Sequence, residues 1–466
     1  MHRHKTCGGT YRFLVLLTVL ILPSILFSQE TMIPGKVIVG FYDGSSPEAT
    51  ARRVGAKVVR SIQSMNVHLL SFSESNSIDD MVTNLSSQPG VRFVQPDYVM
   101  SLPETGQISQ EFPDGNRPVY VRGVSPETYY KQPGVYNIGV DSANIIATGT
   151  DVLVAVIDNG FDFDHPLFKQ AYISSGYDYI DFDNDASAEP GTLQSHGTFV
   201  AGIVVRVAPD CKLLPLRAFN EEGVGNCFAI AQAISKAIDD DANVINMSFS
   251  MYQSNPLIEH AITEAVRAGI ALVAAVGNDS CDITSYPGAY QYVLAVSAIN
   301  DADVLASFSN YGDYIDICAP GVDIYSALSG EYEWGTWSGT SFAAPFVSAA
   351  CALVLDLKPA WKSRKVWNHI KTTANTDLEW GTVPLNDPQY GDGCIDVYEA
   401  VLSIIKGDVN DDGEVNFLDI DFLNRFVNMA GPAPLPIRAV GDVDGSGLVD
   451  TADVRILIEE VYKKGE

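Results

Sequence analysis

The sequence predicts an α/β protein: a doubly wound, mostly parallel sheet, preceded by a small α+β unit and followed by a small α-helical unit. Three observations carry this. Over residues 134–405 short apolar runs alternate with helical stretches, the pattern of a sheet covered on both faces. Residues 30–100 instead read as half-buried strands around one capped helix. From residue 407 an acidic segment occurs twice, the mark of a duplicated unit.

The chain has 466 residues, with 29 basic against 58 acidic side chains and a net charge of -29. Such a charge repels phosphate and argues against nucleic acid as a partner. It fits clustered carboxylates for hard cations. Residues 1–28 have a basic start and a short apolar run broken by Pro23, as in a secretory leader. No later run reads as long enough to span a bilayer, so the reading is a secreted protein with no membrane span once the leader is removed. Cys7 leaves with the leader, and Cys211, Cys227, Cys281, Cys318, Cys351 and Cys394 remain. Export permits disulfides, but sequence does not choose a pairing. Cys351, in "SAACALVLDL", reads as a small buried apolar residue.

In the first unit "KVIVGFY" and "VHLLSFS" read as strands, and "SIDDMVTNLSS" as a helix capped by Ser77. Residues 101–133 are rich in Pro, Gly and polar side chains and read as a linker or N-terminal arm. In the central unit the strands are "VLVAVI", "KLLPLRAF", "NVINMS", "IALVAAV" and "YVLAVSAI", with "CFAIAQAISKAIDDD" and "LIEHAITEAVRAG" as helices between them. Such sheets place their chemistry beyond the carboxyl ends of the strands.

Three residues fall at that rim. Asp158 ends the strand "VAVID", His196 sits where "SHGTFVAGIV" turns from loop to helix, and Ser341 opens the helix of "GTSFAAP". Each alone has a plainer reading: a turn aspartate, a structural histidine, a helix cap. Together they supply a nucleophile, a base and a group to orient the base. Small residues around Ser341 admit a substrate backbone, and a helix N-terminus favours developing negative charge.

"VAVIDNGFDFDHPLF", "SHGTFVAG" and "SGTSFAAPFVSAA", in that order, resemble the subtilisin-like serine peptidases. The Asp, His, Ser order is the one the family shows. "APDCKLLPLRAFNEEGVGNCFAIAQAISKAIDDDANVINMSFS" resembles its core strand, substrate loop and helix, and "GIALVAAVGND" the segment with its oxyanion asparagine, Asn278. The resemblance implies that Asp158 orients the imidazole, His196 is base and then acid, and Ser341 attacks the scissile carbonyl. The Asn278 amide and the Ser341 N–H then hold the oxyanion. It also implies that peptide substrate adds as a β-strand between Ser248-Phe249-Ser250 and Gly223-Val224-Gly225, with the S1 pocket at Ala274 to Gly277. Asn159, Phe199 and Ser250 depart from the usual pattern, and none of these removes a catalytic group. Residues 36–100 resemble the family's inhibitory propeptide, whose tail lies in the cleft until cut. "VQPDYVM", or a stretch reaching into the linker, is the expected tail.

The duplicated segment reads "GDVNDDGEVNFLDIDFLNRFV" and "GDVDGSGLVDTADVRILIEEV". It places Asp408, Asn410, Asp412, Glu414, Asn416 and Asp419, then Asp442, Asp444, Ser446, Leu448, Asp450 and Asp453, at calcium-loop spacing. Glycines Gly413 and Gly447 stand at the sharp turn, and Glu414 and Leu448 offer backbone carbonyls. A helix follows each loop. This half EF-hand used twice resembles a type I dockerin over 407–463, which implies two Ca2+ ions and a cohesin-type scaffold partner. Partner choice in that family falls on Phe417-Leu418 and Thr451-Ala452. The acidic "DYIDFDNDASAEP" reads equally as a further cation site or a solvated loop.

The reading is therefore a secreted serine endopeptidase: leader 1–28, propeptide 30–100, arm 101–133, peptidase domain 134–405 and dockerin 407–466. The competing reading is a non-catalytic calcium-dependent assembly protein on an inactive peptidase fold.

Overall fold

The computed structural model describes residues 31–104, 119–120, 126–330, 334–378, 381–382, 387–407, 415, 417–427, 440–444, 446 and 448–464. The leader and most of the arm lie outside the described residues.

The first unit follows its pattern. Strands β1 (Met32–Phe41), β2 (Lys57–Ile62), β3 (Val67–Ser71) and β4 (Val91–Ser101) alternate with helices α1 (Pro47–Arg53) and α2 (Ile78–Ser86). The strands form an antiparallel sheet in the order β4-β1-β3-β2. One face of β1 and β3 contributes Val37, Val39, Phe41 and Leu70 to a core closed by Met81 and Leu85 of α2. Ser77 caps α2, its hydroxyl accepting from the Asp80 N–H at 3.3 Å, as the capping signature predicts.

Part of the predicted linker is ordered into the central unit. A short strand β5 (Val119–Tyr120) precedes helices α3 (Pro126–Lys131), α4 (Pro133–Asn137) and α5 (Val140–Ala143). Tyr129 is fully buried and donates to the Gly202 carbonyl at 2.6 Å. One apolar tyrosine in a polar stretch gives no periodicity, so this docking leaves no pattern in sequence.

The central sheet contains β6 (Leu153–Asp158), β7 (Tyr172–Ile173), β8 (Tyr177–Asp178), β9 (Lys212–Arg217), β11 (Val244–Met247), β12 (Ala271–Ala275), β13 (Val293–Ile299) and β14 (Ile317–Pro320). Between β9 and β11 lie the short strand β10 (Val224–Asn226) and helix α7 (Cys227–Asp239). Helix α6 (His196–Val207) precedes β9, and α8 (Pro256–Ala268) follows β11. The main strands are all parallel, in the order β14-β13-β12-β11-β6-β9-β7, with β8 beside β9. The winding direction reverses at β6, whose neighbours β9 and β11 lie on opposite sides. A crevice opens at such a point beyond the carboxyl ends, and β6 ends at Asp158.

Strand β15 (Ile324–Ala327) pairs with β16 (Trp334–Trp337), which pairs in turn with β5 and leads into helix α9 (Thr340–Leu357). Helices α10 (Ser363–Thr372) and α11 (Val397–Ile405) close the domain. The expectation that no later segment is long enough to span a bilayer fails on length: α9 has 18 residues and a mean hydropathy of 1.6. Of its 18 residues 89% are buried inside the fold, so it is a core helix. It is apolar on every side because sheet strands and helix α6 surround it. In the C-terminal unit α12 (Phe417–Val427) packs on α13 (Thr451–Lys464) through Leu423, Val454, Leu457 and Val461.

Candidate active site

Asp158, His196, Asn278 and Ser341 converge in one buried pocket, none more than 1% exposed. Asp158 arrives at the end of β6, and its Oδ1 accepts from its neighbour Asn159 N–H and from His196 Nδ1, both at 2.8 Å. His196 is the first residue of α6, with its ring edge-on to Trp337 and tilted against Phe342. Asn159 holds the two segments together: its amide donates to Leu193 O at 2.7 Å and its Oδ1 accepts the Gly197 N–H at 3.1 Å. That contact accounts for the first departure from the family pattern. Phe199, the second, packs against Trp337 and Phe342 behind the imidazole.

Asn278 follows β12 on a turn in which Gly277 has φ +100, and a Cβ there would lie 2.6 Å from Asn310 Nδ2. Only glycine adopts that conformation without strain in so little space. The amide is oriented by Thr340, whose N–H and Oγ1 both donate to Asn278 Oδ1 at 2.9 Å. Thr340 Oγ1 in turn accepts the Gly277 N–H at 3.1 Å. Asn278 Nδ2 is thereby turned into the pocket.

Ser341 is the second residue of α9, and the cap position belongs to Gly339. The plainer reading of Ser341 as a helix cap does not hold. Its Oγ donates to Ser248 O at 3.1 Å, and among the described residues no hydrogen bond joins it to His196. The far ring nitrogen, Nε2, instead faces Glu104 Oε2 at 3.1 Å. Both imidazole nitrogens thus point at carboxylate oxygens, which accept only. With both carboxyls ionised, these acceptors require both nitrogens to carry hydrogen, and the ring is then an imidazolium. Burial works against that charge, but Asp158 and then Glu104 outweigh it and raise the His196 pKa to about 10.

Glu104 and Thr340 were not singled out in sequence. Thr340 sits inside the recognised "GTSFAAP" and was legible only as part of it. Glu104 stands in "LPETG", where nothing distinguishes it from a solvated linker charge.

The predicted peptide-binding strand is occupied. β10 pairs antiparallel with the end of β4, Val224 opposite Ser101 and Gly225 opposite Met100, and the Leu102 N–H donates to Gly223 O at 2.9 Å. The chain's own β4 is thus added as a strand at this edge as far as Ser101, and the chain past "VQPDYVM" goes on in a turn to Glu104. On the other predicted segment Ser248 lies beneath Ser341, with Ser248 Oγ donating to Ser341 O at 2.7 Å. Phe249 is buried against Phe219, and Ser250 Oγ fills the space beside Gly277. Ala274 is buried in β12, and Gly277 in the turn that follows it. The first unit also seals two helix starts. Asp97 Oδ1 accepts the Phe228 N–H of α7 at 3.2 Å, and Gln95 Oε1 accepts the Leu257 N–H of α8 at 3.1 Å.

Of the calcium-loop residues, Asp408, Asn410, Asp412, Glu414 and Asn416 lie outside the described residues, while Asp419 is buried. In the second loop Asp442, Asp444 and Asp453 bring carboxylate oxygens within 4.8 Å of one another. Asp453 is steadied by the Asp444 and Asp450 N–H groups at 3.0 and 2.7 Å. Ser446 and Leu448 lie along the same turn, Ser446 Oγ donating to Leu448 O at 3.3 Å. Three converging carboxylates fit a hard cation. In the acidic loop of the central unit, Asp178 and Asp181 instead pair with buried Arg217 at 2.5 and 2.8 Å. Among the described residues the six cysteines beyond the leader form no disulfide, and Cys351 is buried as expected.

A family model described as the subtilase family matches residues 149–393. Models of the fervidolysin N-terminal prodomain and of the dockerin type I domain match 28–97 and 406–462. The chain is 33% identical over 338 residues to a thermophilic serine proteinase of Bacillus sp. strain AK1, covering 69% of this chain and 78% of that one. It is 30% identical over 384 residues to subtilisin E of Bacillus subtilis strain 168, covering 78% and 90%. Among solved structures, fervidolysin from Fervidobacterium pennivorans, titled a keratinolytic enzyme related to subtilisin, is similar with a TM-score of 0.66 at 23% identity. That match spans 80% of this chain and 61% of the other, and at this identity it speaks for the fold.

Proposed function

The chain belongs to the subtilase family of serine peptidases, and on that premise we propose that it is an extracellular endopeptidase, made as a precursor and carrying a calcium-dependent docking module. The carrying observation is the 2.8 Å contact from His196 Nδ1 to Asp158 in a pocket shared with Ser341 and the Asn278 amide.

In this reading the cleft takes a peptide as an edge strand along Gly223 to Gly225. With Nε2 vacant, His196 accepts the Ser341 proton as the hydroxyl attacks the scissile carbonyl, and Asp158 stabilises the imidazolium. The Asn278 amide and the Ser341 N–H, which has no helical partner at that position, hold the oxyanion. His196 returns its proton to the leaving amine, and water then releases the acyl group by the reverse sequence. Ser248, Phe249, Ser250, Ala274 and Gly277 shape the subsites beside the nucleophile.

The proposed organisation is leader 1–28, propeptide 30–100, arm 101–133, peptidase domain 134–405 and dockerin 407–466. The dockerin is proposed to hold two Ca2+ ions, one of them on Asp442, Asp444, Asp450 and Asp453, and so to organise a surface for a cohesin-type domain on a scaffold or cell surface. Calcium there supplies structure and no chemistry. The test is labelling of the processed protein with a fluorophosphonate probe and cleavage of internal peptide bonds in a protein substrate. Both should vanish in Ser341→Ala, and labelling that persists in that variant refutes the assignment.

A further inference from the structure

Among the described residues, what the chain entering the cleft sets against the catalytic groups is a side chain. Glu104 is 1% exposed, and its two oxygens are divided between the two groups the reaction needs. Oε1 accepts from Asn278 Nδ2 at 3.0 Å, and Oε2 accepts from His196 Nε2 at 3.1 Å. A Cβ on Gly339 would stand 2.6 Å from Oε1, so the glycine before α9 clears the space this oxygen occupies. Meanwhile Ser341 Oγ is turned to Ser248 O. A planar carboxylate with one oxygen on an oxyanion donor and the other on the base occupies both places a reacting acyl group would use.

The charges agree with the geometry. Asp158, His196 and Glu104 are all buried, so each carboxylate needs a partner in place of water. The imidazolium lies between them, while Trp337 and Phe342 cover the rest of the ring without offering charge.

Resting on the peptidase reading, we propose that the oxyanion pocket of this chain is a carboxylate-binding site and that Glu104 is its resident ligand in the uncut chain. The precursor is then held inactive by a side chain that takes the base and the oxyanion donor, and not only by the strand that fills the substrate groove.

The experiment uses the full-length chain. Fluorophosphonate labelling is followed in a gel that separates uncut from processed protein, for wild type, Glu104→Ala, Glu104→Gln and a control, Glu127→Gln, whose side chain is exposed on helix α3. The uncut wild-type and control bands should label about 100-fold or more slower than the processed band, the scale set by one oxyanion-hole donor. The uncut Glu104→Ala band should label nearly as fast as processed enzyme, and Glu104→Gln should fall between. Uncut wild type labelling at the processed rate, or uncut Glu104→Ala remaining as slow as wild type, overturns the proposal. If the processed band itself never labels, it is the peptidase reading that fails. Should the Glu104 variants not fold, the Ser341→Ala precursor with its native Glu104 decides by nitrogen NMR of His196. An imidazolium at about pH 8, above the ordinary histidine range, supports the clamp. A neutral ring there overturns it.

Discussion

Ser248 Oγ donates to the carbonyl of Ser341 at 2.7 Å, and the reason lies four residues further along α9. In an α-helix that carbonyl would accept the N–H of residue 345, but Pro345 has none. The helix therefore begins with a vacant acceptor directly under the nucleophile. Ser248 fills it, while its own carbonyl receives Ser341 Oγ at 3.1 Å. Ser248→Ala leaves a buried carbonyl unsatisfied, which costs about 1–3 kcal/mol. The expected result is a lower midpoint in thermal unfolding together with reduced kcat/KM. An unchanged midpoint would show that the bond contributes nothing.

Asn278 presents its amide because Thr340 holds the opposite end. Asn278→Ala should lower kcat by about 100-fold or more, near 3 kcal/mol, with KM almost unchanged, since the bond forms to the oxyanion and not to the ground-state carbonyl. Thr340→Val keeps the shape but removes the hydroxyl contacts to Asn278 and Gly277. It should lower kcat by about five- to tenfold, the worth of one such hydrogen bond, without moving the pH profile. Steady-state kinetics on a peptide substrate separate the two, and a rise in KM alone would contradict both.

These two residues also show where the sequence was readable. Asp158, His196, Asn278 and Ser341 stand at strand ends and helix starts that periodicity locates, and their motifs are local. The parallel character of the sheet follows from the same pattern, while the edge strand at Val224 is legible only through the family resemblance. Thr340 and Ser248 act through bonds whose partners lie 62 and 93 positions away, which no local pattern encodes. Glu104 is harder still: its role depends on the chain turning into the cleft after Leu102, and "LPETG" has the composition of any polar linker. Tyr129 escaped because one buried ring makes no period.

Asp97 carries a pH dependence. Burial at the interface pushes its carboxyl up to about 7, opposed by the Phe228 N–H and by Lys36. A folded value above the ordinary 3.8 means the group contributes most to stability below about pH 4, and that contribution is lost as pH rises through about 7. The propeptide should therefore loosen from α7 across that interval. In the Ser341→Ala precursor, thermal unfolding of Asp97→Asn against pH should lose this part of the slope, and the variant should exceed its parent at about pH 8. Parallel curves from about pH 4 to 8 would show that Asp97 does not titrate there.

The second calcium loop is set out around Asp453, the last position of its acidic turn. Its two oxygens accept the Asp444 and Asp450 N–H groups while Asp442 and Asp444 approach within 4.8 Å. Three carboxylates this close repel one another until a cation joins them, so binding should order the turn ahead of α13. Titration of calcium into the full-length Ser341→Ala chain should show two ions in the C-terminal unit. Asp453→Asn should remove one and leave the other. Saturation at about 100 times the dissociation constant should raise the stability of that unit by about 2.7 kcal/mol, and a chelator should reverse the gain. Equal calcium stoichiometry in the variant and its parent would mean that Asp453 is not a ligand.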